Sequence, residues 1–119
     1  MKTLNVIIAV VVAVTVSGCA STRYTEYRGQ DSFPAEGGTI QIIDGIDLWR
    51  SGTPDRPYKI LGVIDKEFAP AYMRSFDKAI VKDIVEYGGQ AGIILNRERI
   101  RRAPDAYATH FKIAVIRYL

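Results

Sequence analysis

The chain has 119 residues, 48% of them hydrophobic and 24% charged, which is the balance of one small globular domain and not of a disordered or fibrous chain. Lysine and arginine total 16 against 13 acidic residues, a formal charge of +3, and so small a basic excess does not point to nucleic acid as a partner. The single cysteine and single histidine exclude a disulfide framework and any zinc site built from Cys and His ligands within one chain.

Met1 and Lys2 give a short positive start, residues 4–16 are an almost unbroken apolar run, and small residues lead up to Cys19. That run is too short to cross about 30 Å of hydrocarbon as a helix, so the layout is that of a secretory signal peptide over residues 1–18. The stretch Val16-Ser17-Gly18-Cys19 resembles the lipobox of bacterial lipoproteins. The resemblance implies that the leader is cut before Cys19 and that the cysteine sulfur takes a diacylglycerol, with palmitate-type acylation of the new amino group. A residue other than aspartate after the cysteine, here Ala20, implies in that family sorting to the outer membrane, facing the periplasm. Two or more acyl chains make anchoring stable, so the membrane would be a partner without being crossed. Cleavage removes one lysine and no acid, which leaves the mature chain near +2.

Residues 20–38 are polar, with Phe33-Pro34 and Gly37-Gly38, show no helical or strand period, and are expected to form a flexible tether between Cys19 and a single α+β domain at 39–119. The domain begins with two short strands, residues 39–43 and 46–50, across the turn signal Asp44-Gly45. Residues 51–57 hold two prolines and a glycine and predict a rigid loop. Residues 58–65 predict a strand. Met73, Phe76, Ile80, Ile84 and Tyr87 recur at three- and four-residue steps, an amphipathic helix of about four to five turns from Pro70 to Gly88-Gly89. Residues 91–101 and 109–118 complete the set as two strands joined by a loop over 102–108. The expected architecture is a mostly antiparallel sheet of four to five strands with one main helix on one face, in the order strands, helix, strand, strand.

Residues 60–64, 93–95 and 113–116 are apolar at consecutive positions, so these strand centres present apolar groups to both faces of the sheet, and one helix covers only one. The other face is filled either by residues 33–50 folding back, with Phe33, Ile40, Ile42 and Trp49, or by a protein partner or second copy in a homo-oligomer. Around these strands Tyr58-Lys-Ile-Leu-Gly-Val-Ile64 and Gly88-Gly-Gln-Ala-Gly-Ile-Ile94 resemble small envelope lipoproteins related to the Rcs stress-sensor lipoprotein, over roughly residues 46–117. The sensor's disulfide cysteines have no counterpart here, so the resemblance implies no redox role.

Candidate binding residues are the row Arg97, Arg99 and Arg101, which share a side at strand spacing about 7 Å apart and suit lipid phosphates or acidic protein groups, and the aromatics Trp49 and Tyr58, either exposed for contact or packed in the core. Charge on a strand end also discourages edge pairing. For catalysis, only His110 with Asp105 can be imagined as a base and its orienter, and no nucleophile accompanies them once Cys19 is lipidated. Asp44, Asp47 and Asp55 lack the spacing of a calcium loop and read as turn residues. The glycines at 88–92 follow a helix, so they cap it and cradle no phosphate. The expectation is a lipid-anchored binding or assembly module with no cofactor, not an enzyme; the alternatives are a small envelope hydrolase using His110 and Asp105, or a purely structural homo-oligomer.

Overall fold

Two long antiparallel strands, β4 (Tyr58–Phe68) and β6 (Ala106–Tyr118), form the middle of the fold. A computed structural model describes residues 20–119; the expected signal peptide and lipidation site at Cys19 lie outside the described residues. Around the central pair are β1 (Ala20–Glu26), β2 (Gly37–Ile43), β3 (Ile46–Thr53) and β5 (Ala91–Ala103), giving one six-stranded sheet in the order β1-β4-β6-β5-β3-β2. All neighbours are antiparallel except β3 and β5, which run parallel over Asp47–Trp49 and Ala91–Ile93. The class is α+β with one α-helix and a mostly antiparallel sheet, as the sequence predicts, with one strand more than the four to five expected.

The additional strand is β1. Residues 20–26 were expected to be irregular tether, yet they pair with β4 from Ala20↔Phe68 to Glu26↔Gly62. Thr22, Tyr24 and Thr25 favour extended backbone, and the Tyr24 ring lies flat on Tyr87, with centroids 4.1 Å apart and planes 4° apart. Gly62 makes that approach possible, because a Cβ there would overlap the Tyr24 ring.

The helical segment divides in two. Pro70–Ser75 is a 3-10 turn with no buried residue, and α1 runs from Phe76 to Glu86. The expected face is the one that packs: Ile80 and Ile84 are fully buried, with Met73, Phe76 and Tyr87 against the same core. The α geometry begins where Phe76 stacks on Phe111 at 4.8 Å. It ends as predicted, with Gly88 at φ +83° and the Gly89 N–H donating to the Ile84 carbonyl at 2.8 Å.

A core on each side of the sheet follows from the consecutive apolar positions. Leu48, Ile64, Phe68, Phe111, Ile113 and Val115 meet α1. On the other side Trp49, Tyr58, Ala91, Ile93, Ala114 and Ile116 form a second cluster, with Phe33, Ile60 and Tyr118 around it. The chain folds back to cover this face through Phe33, which pairs with Tyr58 by backbone hydrogen bonds of 2.8 and 3.2 Å and stacks on its ring at 5.2 Å. Ile40 and Ile42 take no part, remaining 40% and 67% exposed. The predicted loops at 51–57 and 102–108 are shorter than expected. β3 continues to Thr53, and β5 and β6 run to a two-residue turn at Pro104-Asp105, where Ile100 opposite a buried Ala108 keeps the tip zipped.

Candidate functional site

The β5–β6 hairpin places most of the residues that the sequence singles out. Since β3 meets β5 only as far as Ile93, the outer edge of β5 from Ile94 onward has no neighbouring strand among the described residues. On the other side β6 stays paired with β4 as far as Thr109, so the hairpin leaves the body of the sheet as a two-stranded arm past the Arg99↔Thr109 pair. Pairing with alternate residues of β6 sets the sides: Arg97 lies opposite Phe111, Arg99 opposite Thr109 and Arg101 opposite Tyr107, all on the side that carries α1. Glu98, opposite His110, points to the other side.

Each guanidinium of the row has a defined support. The Arg97 Cζ is 5.5 Å from the Phe76 ring centre and 5.4 Å from that of Phe111, and Arg99 lies 4.2 Å over Tyr107. Arg101 donates to the Pro104 carbonyl at 2.9 Å. All three side chains are exposed, and none forms an ion pair with a carboxylate among the described residues. Sequence reasoning finds the row but misses its platform, because regular alternation from the Ala103↔Ala106 pair would set Tyr107 opposite Arg102, and the register shift between Arg101 and Ala103 brings it opposite Arg101 instead.

The register carries one further relation. Ala20 pairs with Phe68, Phe68 with Thr109, and Thr109 with Arg99, so these four residues form a single row across four strands. Three strand spacings of about 4.8 Å put the start of β1 some 14 Å from Arg99. The arm continues past that row to the Ala103↔Ala106 pair, about 13 Å farther at strand rise.

The opposite side of the arm is a network of paired charges. His110 Nε2 lies 3.2 Å from Asp65 Oδ1, and no ion pair joins it to Asp105, which sits exposed in the turn; the imagined base and orienter are not brought together. Arg102 forms a two-pronged ion pair with Glu67, and its hydrogen bonding holds the Glu67 carboxyl below the usual range.

Trp49 and Tyr58 are core residues, 3% and 4% exposed, and offer no contact surface. The Trp49 indole N–H donates to the Tyr118 hydroxyl at 3.0 Å, and that hydroxyl donates to Asp47 Oδ2 at 2.7 Å, while the Arg56 guanidinium covers the Tyr118 ring at 3.9 Å. Burial, with Asp47 beside it, pushes the Tyr118 phenol up to about 12 despite the Trp49 hydrogen bond. A phenol so hard to ionise is a structural bridge. Asp44 occupies the β2–β3 turn at φ +50° and Asp55 the bend after β3, as read from the sequence, whereas Asp47 lies inside β3, where Tyr118 engages it.

Under α1, Lys66 and Asp83, both missed in the sequence, meet at 2.5 Å, and the ammonium also donates to Thr22 at 2.8 Å. Seventeen positions separate the pair in the chain, and neither residue type signals burial. Among the described residues no helix is long and apolar enough to cross a membrane. Comparison of the chain with protein-family models, with curated proteins and with solved structures gives no match.

Proposed function

We propose that the protein is a lipid-anchored module of the bacterial cell envelope, held at the periplasmic face of the outer membrane through Cys19, and that it acts by binding and not by catalysis. The anchoring rests on Val16-Ser17-Gly18-Cys19 after an apolar leader. The observation that carries the reading into three dimensions is the start of β1 at Ala20. The residue after Cys19 already belongs to the sheet, so no slack chain separates the anchor from the domain, and the exposed arm of β5 and β6 works at the membrane surface.

Binding is favoured over hydrolysis because His110 and the neighbouring Asp65, Glu67 and Arg102 are tied into ion pairs that link strands. The second apolar face, for which residues 33–50 folding back and a partner or second copy were the alternatives, is occupied by Phe33 and Trp49, so a protein contact belongs on outer surfaces such as β2 with its exposed Ile42. The test is to grow cells with an alkyne analogue of palmitate, comparing the natural chain with a Cys19→Ala form when both carry a photoreactive residue at the exposed Ile42. Label on the natural chain only, with a discrete adduct lost from the Cys19→Ala form, is the expected result. An unlabelled natural chain recovered with the soluble fraction would overturn the reading.

A further inference from the structure

We infer that the α1-side face of the β5–β6 arm, made by Arg97, Arg99 and Arg101 with Tyr107, is a second membrane attachment that receives the phosphates of anionic lipid headgroups. This inference rests on the lipid anchor at Cys19, and it says what that anchor does to the rest of the domain.

Four observations carry it. The row Ala20–Phe68–Thr109–Arg99 sets the N-terminal end of β1 and the arginine row at the same end of the sheet, about 14 Å apart, and the arm extends from that end. Anchoring at residue 19 therefore holds the arm against the headgroups at high effective concentration. Next, the charge of the arm is one-sided. Asn96 to Lys112 contains five lysine and arginine residues and two carboxylates, and the carboxylates that pair with cations here, Asp65 and Glu67, serve His110 and Arg102 on the far side. The α1 side keeps three cations with no acidic partner among the described residues.

The supports of these arginines also matter. A guanidinium lying over a ring is immobilised through its face, while its N–H groups, which lie in the plane, stay directed outward for phosphate oxygens. Arg99 lies 4.2 Å over the Tyr107 ring and Arg97 is braced beside the Phe76–Phe111 stack, 5.5 and 5.4 Å from the two ring centres, so less side-chain freedom is lost when phosphate binds. Finally, Tyr107 is 38% exposed on the same side, an amphipathic ring of the kind that settles at the level of headgroups. A protein partner would be expected to meet a mixed, part-apolar surface; a row of cations spaced about 7 Å apart suits a two-dimensional array of phosphates.

The full lipidated chain with Asp105→Cys, labelled at that thiol with a fluorophore, is reconstituted into phosphatidylcholine vesicles with or without about a third phosphatidylglycerol, each with spin-labelled headgroups as quencher. Quenching is expected in the anionic vesicles and several-fold less in the neutral ones. Each basic residue near an anionic surface is worth about a fivefold change in partition, so the triple change Arg97→Gln, Arg99→Gln, Arg101→Gln abolishes the quenching. The triple lysine form restores a large part of it and shows that the arm still folds. Equal quenching in neutral vesicles or in the glutamine form overturns the inference, as does an unquenched probe in a chain that floats with the vesicles. A chain that does not float at all refutes the lipid anchor itself.

Discussion

Lys66 and Asp83 put the largest electrostatic stake in the fold at a place where three elements meet. Lys66 is 7% exposed and Asp83 9%; the 2.5 Å ion pair ties β4 to α1, and the 2.8 Å hydrogen bond to Thr22 adds β1. Asp83→Ala leaves an ammonium under the helix with one hydroxyl as its remaining partner. Breaking a buried pair in this way costs about 3–5 kcal/mol. The lower figure is the better one here, because Thr22 stays and the side chains keep 9% and 13% of their exposure. At about 3 kcal/mol the expected fall in Tm is on the order of 12–24 °C for a domain of this size. Replacing both partners, Lys66→Met with Asp83→Leu, removes the stranded charge and returns most of the loss, since apolar groups of like volume often substitute neutrally. Thermal melts of the single and double variants give the coupling directly. A single-variant loss below about 1 kcal/mol, or a double variant no better than Asp83→Ala, would refute the claim that the pair is dry and mutually dependent.

Phe33→Ala removes the ring that covers Tyr58 and opens the second core beside Trp49. A loss of about 2–3 kcal/mol is expected for truncating a half-buried aromatic, and acrylamide quenching of Trp49, the only tryptophan, should rise before unfolding; unchanged quenching would mean that another segment covers this face. Alkali supplies an independent check on the Tyr118 bridge. Its folded value, about 12 against an ordinary 10, means that the folded state holds the proton more tightly, so its contribution is complete below pH 10 and is lost as pH rises from 10 toward 12. Ultraviolet titration should show Tyr118 ionising with the unfolding transition, and Tyr118→Phe should flatten the alkaline fall in stability.

The elements that depend on local periodicity were legible in the sequence. The α1 face at Ile80 and Ile84 and the centres of β4, β5 and β6 carry their burial in their spacing, and Gly88 marks the helix end. β1 was hidden because an edge strand buries little. Its polar string holds one packed aromatic, Tyr24, and its partner β4 lies some forty residues away. The continuous helix expected from Pro70 became a 3-10 turn and a shorter α1, since residues 70–75 have nothing to bury. For the candidate site, the common side of Arg97, Arg99 and Arg101 follows from strand spacing alone. The direction of that side, and its alignment with Ala20, depend on three separate strand pairings, none of which is local. Trp49 and Tyr58 were ambiguous for the opposite reason: a large aromatic beside a proline-rich loop reads equally as core or as surface until Phe33 is known to lie over it.

The pairing of β1 also decides how the molecule carries load. A pull on the chain at residue 19, directed along the strand, acts on all seven register pairs from Ala20↔Phe68 to Glu26↔Gly62 at once. The ladder is sheared as a unit instead of being peeled one bond at a time. Its cross-braces lie close along the same strand, Thr22 to Lys66 and Tyr24 to Tyr87, so slip along the axis must break the brace at Thr22 and the ring stack together with the backbone bonds. A seven-residue edge strand that adds little to the core is thus placed to serve as a mechanical coupling, transmitting tension from its N-terminal end into β4 and through it into β6.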